Sequence, residues 1–385
     1  TAERRRNMIK KLTVKNYKSL KDITISFQPL TILAGPNASG KTNILDALSF
    51  VCDLVHGGKD PLESRGKDFR FLVWGGNTEK VCITIIGTYV IGEGVEEEFE
   101  YSVEMKHGYQ RGHFSIEKEH CLVSSKQEIL LERSEPNKFY LLTPEKQKQE
   151  GEINNNVSAL LNAPTNNPKL TAIKLALTDC VFYDFIPWKM KQWQDIEKQY
   201  RLDAAGENIA TLLHSIQRAE SQLYQNILER LKAAIPRVEY IETDFTEEKP
   251  TKTYVQLREK GISQPIKSFS ISEGTFRILG ILLALFAPNP ASLVTIEGPE
   301  TNVHPQLFPN IADYLKIASK KRQIIVTTHS PHFIKHFYPE NLFIVEMKNG
   351  STRCRPVAGK RGLKEALKVL DLGELYYSGE LGGMP

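Results

Sequence analysis

The chain has 385 residues, 41% of them apolar and 25% charged, and its 50 basic side chains against 46 acidic ones leave a net charge of +4. That is enough apolar residue to bury the core of one large domain or of two to three ordinary ones, and it excludes a disordered or collagen-like chain. The longest apolar run, around Ile281, is about ten residues, too short to span a bilayer, and a charge excess this small permits contact with nucleic acid without arguing for it.

Residues 9–34 read as strands: Ile9 through Tyr17, then Ile23–Phe27 with apolar residues at every second position, then the apolar run Leu30–Ala34. Gly35-Pro-Asn-Ala-Ser-Gly-Lys-Thr42 follows and matches G-x-x-x-x-G-K-[ST] at every fixed position, and Asn43–Phe50 opens a helix. Strand, glycine-rich turn and helix are the context a phosphate-binding loop requires, because backbone N–H groups and the helix N-terminus then converge on the anion. The candidate nucleotide-binding residues are Gly35, Asn37, Ala38, Ser39, Gly40, Lys41, Thr42 and Asn43. Lys41 is expected to reach the β- and γ-phosphates of a nucleoside triphosphate, and the Thr42 hydroxyl to bind Mg²⁺.

Residues 81–90 and 97–105 read as strands joined by an acidic turn, with more antiparallel strand expected in 113–132, a sheet lobe beside the nucleotide core. Residues 134–170 read as polar and irregular, most of all Glu145–Asn156. Leu212, Ile216, Leu223, Ile227 and Leu231 then give 189–235 a helical period that Pro236 ends, and Tyr254–Arg258 reads as strand. These shifts divide the chain into an N-terminal half-core with sheet lobe (8–133), an insertion with a polar loop and a helical region (134–260), a C-terminal half-core (261–350) and a tail (351–385).

In the third of these segments, Ser268–Arg277 leads into an apolar helix from Ile278 to Ala287. Its hydroxyls and glycine suit either an anion site at a helix N-terminus or a plain helix start capped by Ser272 or Thr275. Strand Ser292–Ile296 ends in the carboxylate of Glu297, the place from which P-loop enzymes hold a Mg²⁺ shell. Strand 323–328 is followed by His329, placed to sense a γ-phosphate or orient water. Both groups fall at the carboxyl edge of what reads as a parallel sheet, where such sheets bind ligands. Five scattered cysteines with no C-x-x-C pair fit reduced thiols and a cytoplasmic location.

The succession of phosphate loop, Ser272-Glu-Gly-Thr275, Ile296-Glu-Gly-Pro-Glu-Thr-Asn-Val-His-Pro305 and Thr327-Thr-His-Ser-Pro331 resembles the ABC-type ATPases of the RecF/SMC branch. More closely it is similar to the short AAA-type ATPases with an ABC-like core that occur in bacterial anti-phage defence systems. The resemblance covers about 9–90 and 265–350, together with Leu202–Asn208 and Tyr376–Gly383. It implies an α/β fold, a P-loop ATPase head of the ABC type with an antiparallel β lobe and a short helical insertion. It implies that Lys41 and Thr42 are the Walker A pair, Glu297 the Walker B acid and His329 the switch histidine. Ser272, Glu273 and Gly274 become a signature loop that completes the ATP site of a second protomer, with residues 299–305 crossing the interface. ATP and Mg²⁺ would then close a homodimer, or a higher oligomer, around composite sites. The partner implied is a separately encoded effector, a nuclease or toxin; no OLD-type nuclease segment is expected after Pro331, and no membrane. Two other readings stand beside it: a RecF-like ATPase that binds DNA in repair, and a scaffold that ATP stabilises without turnover.

One position departs from the pattern. The residue after the Walker B acid is usually a glutamate that polarises the attacking water, and here it is Gly298. Either hydrolysis is slow and the ATP state long-lived, or Glu297 or Glu300 takes over the task. The segment Phe71–Asn77, where a glutamine loop is sought, contains no glutamine.

Overall fold

The computed structural model describes residues 7–383 apart from 59, 77–79, 93, 109–111, 144, 164–165 and 289. The chain opens with the hairpin β1 (Met8–Tyr17) and β2 (Leu20–Ser26), then β3 (Leu30–Ala34), which feeds helix α1 (Lys41–His56). Strands β4 (Lys80–Ile91), β5 (Val95–His107), β6 (Phe114–Val123), β7 (Glu128–Glu135), β8 (Lys138–Leu142) and β9 (Lys148–Glu152) extend the hairpin into an eight-stranded sheet of order β2-β1-β4-β5-β6-β7-β8-β9. Every pairing in it is antiparallel. Residues expected to be irregular therefore include two strands. The lobe sheet continues past 133 to Glu152, because β9 finds backbone partners along the whole of β8, from Lys138 opposite Glu152 to Leu142 opposite Lys148.

After α2 (Pro168–Thr178) come β10 (Cys180–Tyr183), α3 (Pro187–Met190), β11 (Gln194–Asp195), α4 (Ile209–Ala219) and α5 (Ser221–Ala234). The helical period of 189–235 belongs to the last two of these helices. Leu212, Ile216, Ile227 and Leu231 are buried as that period requires, and α5 stops one residue before its C-cap Ile235 meets Pro236. The insertion is not purely helical. Strands β12 (Val238–Phe245), β13 (Lys252–Glu259) and β14 (Ile266–Lys267) join β11 in a small antiparallel sheet beside α4 and α5.

The remaining elements are α6 (Glu273–Phe286), β15 (Leu293–Glu297), α7 (Phe308–Ser319), β16 (Gln323–Thr328), α8 (Pro331–Ile334), β17 (Leu342–Lys348), β18 (Ser351–Pro356), α9 (Leu363–Ala366) and α10 (Leu372–Tyr377). A six-stranded sheet runs in the order β10-β15-β16-β3-β17-β18, parallel up to β17 and closed by the antiparallel pair β17–β18. Strands β3 and β16 are buried at every residue, as apolar runs covered on both faces must be. Alternate residues serve two cores. Ile32, Ala34, Val294, Ile296, Ile324 and Val326 join the cluster built with α6 and α7, while Leu33, Leu293, Ile325 and Val345 join the one built with α1, α2 and the lobe sheet. Helix α1 thus lies between the two large sheets, so its N-terminus and the loop before it are positioned by both. No helix among the described residues is long and apolar enough to cross a membrane.

Candidate functional site

The loop between β3 and α1 needs glycine at both ends. Gly40 takes a left-handed conformation (φ 97°) as the residue before α1, and a Cβ there would stand 2.0 Å from Thr352 Oγ1. At Gly35 a Cβ would stand 2.1 Å from the Val345 carbonyl oxygen. Side chains brace the loop from behind. Thr352 Oγ1 donates to the Ser39 carbonyl (3.0 Å) and accepts from Ser19 Oγ (2.6 Å), which in turn accepts from Asn43 Nδ2 (2.7 Å). The Gly35 N–H donates to the Thr328 carbonyl at 3.2 Å, tying the loop to the end of β16.

Lys41 folds back over this loop. Its Nζ donates to the carbonyls of Gly35 (2.8 Å) and Pro36 (2.7 Å). Burial pulls the ammonium below its ordinary pKa, against the carboxylates of Glu297 and Glu300, which raise it. Thr42 Oγ1 donates to Glu297 Oε2 at 2.7 Å. Burial pushes the Glu297 carboxyl above the usual range, with Asp184 acting in the same direction and the Thr42 bond opposing.

These groups face an open pocket of about 490 Å³ lined by residues 37–43, Asp184, Arg277, Glu297, Gly298, Thr301, Thr327, Thr328 and His329. The glycine cradle, the single lysine and the helix N-terminus fit a polyphosphate. Thr42 and Glu297 supply two hard oxygens at one spot, and no group of three or more His, Cys, Asp or Glu among the described residues forms a cation site alone. That donor set suits Mg²⁺, which completes its octahedron from phosphate and water.

Of the residues expected from sequence, loop positions 37–43, Glu297 and His329 come together here, while Gly35 lies behind the lining with its N–H on the Thr328 carbonyl. Glu300 does not line the pocket. It is buried, Oε1 accepting from the Thr328 hydroxyl and Oε2 without a hydrogen-bond partner among the described residues, and burial raises its pKa. Ser272, Glu273 and Gly274 do not line the pocket either. Ser272 caps α6, its Oγ accepting from the Thr275 N–H at 3.1 Å, so the capped-helix reading holds for that residue. Glu273 accepts from Asn302 Nδ2 at 2.8 Å, and a Cβ on Gly274 would stand 2.7 Å from the Asn302 carbonyl oxygen. The 272–274 turn and the 299–305 loop therefore share one edge, with Ser272 and Glu273 exposed on it. Phe71–Gly76 is absent from the pocket lining, and Asn77 lies outside the described residues.

Asp184, Arg277 and Thr301 line the pocket without having been expected there. Asp184 follows β10 as Glu297 ends β15, an acid at the end of an apolar strand, and that pattern was the available signal. Arg277 is buried on α6, with Nη1 donating to the Gly298 carbonyl (3.2 Å) and Nη2 to the Phe185 carbonyl (3.0 Å). Thr301 follows from Gly298: that glycine has φ 50°, and a Cβ on it would stand 2.7 Å from Thr301 Oγ1.

A family model described as "AAA domain, putative AbiEii toxin, Type IV TA system" matches residues 30–335. The OLD nuclease of Thermus scotoductus is 50% identical over 44 residues, 11% of this chain and 8% of that protein. The chromosome partition protein Smc of Halothermothrix orenii is 53% identical over 45 residues, 11% of this chain and 4% of that protein. The chain thus spans less than a tenth of the length of either relative. Its fold is similar to a crystal structure of the SmcHead bound to the C-winged helix domain of ScpA, with a TM-score of 0.56 at 15% identity over 92% of this chain and 99% of that one. The fold is accordingly the α/β fold of an Smc head, a mainly parallel core sheet with an antiparallel lobe.

Proposed function

This chain belongs to the AAA-domain family whose model spans it from residue 30 to 335, and from that premise we propose that it is a cytoplasmic ATP-dependent switch that dimerises around ATP and controls a separately encoded effector, a nuclease or toxin, in anti-phage defence. ATP binds at the glycine-rich loop. Lys41 leaves the Gly35 and Pro36 carbonyls for the β- and γ-phosphates, and Thr42 and Glu297 hold Mg²⁺. The Mg²⁺ ion supplies charge neutralisation on the phosphates when bound. His329, which follows β16 and lines the same pocket, meets the γ-phosphate in this reading.

One observation carries this reading. The pocket gathers the phosphate loop, Glu297 and His329, while the signature residues Ser272, Glu273 and Gly274 stay outside it, two of them exposed beside Asn302. Those residues are free to complete the site of a second copy, whose own signature turn completes this one. Turnover is slow because Gly298 stands where these ATPases usually carry the water-polarising glutamate, so ATP sets an assembly state that lasts. The same glycine favours the scaffold reading, in which turnover is absent altogether.

Native mass with and without ATP and Mg²⁺ tests the assembly. A mass that doubles with ATP in the unmodified chain, and fails to do so in Lys41→Ala, supports the switch; a mass indifferent to ATP sinks it. Single-turnover phosphate release by the unmodified chain tests the turnover: release that lags well behind ATP-driven doubling of the mass is expected, and release that keeps pace with it would sink the claim of impaired hydrolysis. A rate that rises with duplex DNA, with an affinity that falls steeply in salt, would move the reading to a DNA-repair ATPase.

A further inference from the structure

We propose that Asp184 is the carboxylate that orients the attacking water in this pocket, a task the chain cannot assign to residue 298; the inference rests on the ATP-binding reading above. Strand β10 runs parallel to β15 with Tyr183 opposite Ile296. The next residues of the two strands, Asp184 and Glu297, are therefore neighbours at the carboxyl edge, and both line the pocket. Asp184 is exposed to it, and among the described residues its carboxylate has no hydrogen-bond or salt-bridge partner.

The other carboxylates are committed. Glu297 accepts from Thr42, and Glu300 is buried against Thr328 outside the pocket lining. Position 298 is built for the lack of a side chain, since its left-handed backbone and the Thr301 hydroxyl 2.7 Å from an added Cβ both resist one. Arg277 makes the substitution of one site for the other geometrically firm. Its guanidinium holds the Phe185 carbonyl beside Asp184 and the carbonyl of Gly298 itself, so one buried side chain fixes both loops.

In the step assigned to Asp184, a water hydrogen-bonded to its carboxylate attacks the γ-phosphorus. The water oxygen–phosphorus bond forms as the bond from that phosphorus to the β,γ-bridging oxygen breaks. ADP leaves with the bonding pair, and the water's proton passes through Asp184 to the released phosphate. A positioned water with a carboxylate partner is how such sites orient the nucleophile.

The test uses the full chain and the variants Asp184→Asn, Asp184→Glu and His329→Gln. Equilibrium binding of a fluorescent ATP analogue is measured with and without Mg²⁺, native mass with ATP, and phosphate release in a single turnover. Asp184→Asn is expected to bind within about threefold of the unmodified chain and to assemble normally, but to release phosphate about a hundredfold more slowly. Asp184→Glu should recover about tenfold of that loss. An unchanged rate in Asp184→Asn, above all beside a collapsed rate in His329→Gln, overturns the proposal. So does a selective loss of Mg²⁺-dependent binding in Asp184→Asn, which would make the residue a metal ligand. ATP binding without any phosphate release in the unmodified chain also overturns it while leaving the switch standing. No ATP binding at all would bring down the functional reading itself.

Discussion

Thr42 Oγ1 and Glu297 Oε2 lie 2.7 Å apart although 255 residues of chain separate them. Their meeting requires β3 and β15 to sit in one sheet with only β16 between them. The contact is thus a direct report that the two halves of the sequence have docked, and it puts together the two oxygens that would hold a cation.

Lys41→Ala removes the one ammonium in the loop. A charge-assisted hydrogen bond to phosphate is worth about 1.5–3 kcal/mol, so ATP affinity should fall about 10- to 100-fold, read by calorimetry. The melting temperature without nucleotide should barely move, because burial already opposes the Lys41 charge. A variant that binds ATP as tightly as the unmodified chain would contradict the role given to Lys41.

Ser272→Arg separates binding from assembly. Losing the cap of α6 should cost about 1 kcal/mol, and ATP binding by a single copy should persist because Ser272 does not line the pocket. The doubling of mass with ATP should disappear. Light scattering that still detects the doubled species would exclude the 272–274 turn from the interface.

Gly298→Ala probes the backbone. With φ at 50° and Thr301 Oγ1 2.7 Å from the new methyl, the folded state should lose about 1–2 kcal/mol for the left-handed conformation alone. Repeating the substitution in a Thr301→Ala background should recover the steric part and leave the conformational part. Urea unfolding of the four chains gives the cycle; no recovery in the double variant would show that the hydroxyl moves aside freely.

Glu300→Gln carries a pH signature. Burial raises the folded-state pKa of Glu300 above its unfolded value of 4.5. The protonated form is therefore favoured in the folded chain, and that stabilisation is complete below pH 4.5 and lost as pH rises through the folded pKa. Glutamine keeps an acceptor for the Thr328 hydroxyl and never ionises. Its melting temperature, measured without nucleotide, should match the unmodified chain below pH 4.5, exceed it increasingly as pH rises through the folded pKa, and then keep a constant lead. A difference independent of pH would mean that Glu300 titrates normally.

The parts of this fold that could be read from sequence are those whose signal is local. Leu30–Ala34, Leu293–Ile296 and 323–328 are apolar runs ending in glycine, an acid and a histidine, and each is a buried strand pointing its end at the pocket. Other parts depend on pairing and carry no apolar pattern of their own. Strand β9 is exposed along nearly its whole length and has no apolar alternation, so only its pairing with β8 makes it a strand. Asp184 was hidden because β10 has four residues and leads almost at once into Pro187, too short a run to mark a buried strand. In the insertion the period of α4 and α5 and the strand at Tyr254–Arg258 are local signals, whereas the two-residue β11 is a strand only through its pairing with β13.

The brace behind the phosphate loop has a practical meaning for anyone cutting this chain into fragments. Every motif that marks the nucleotide site lies before residue 332, and a piece ending after β17 would contain them all. It would nevertheless lack Thr352, whose hydroxyl holds the Ser39 carbonyl and closes the chain of contacts through Ser19 to Asn43. The smallest piece that keeps a shaped phosphate loop therefore runs from the first hairpin through β18, and the motifs by themselves mark out a fragment too short to hold the shape they advertise.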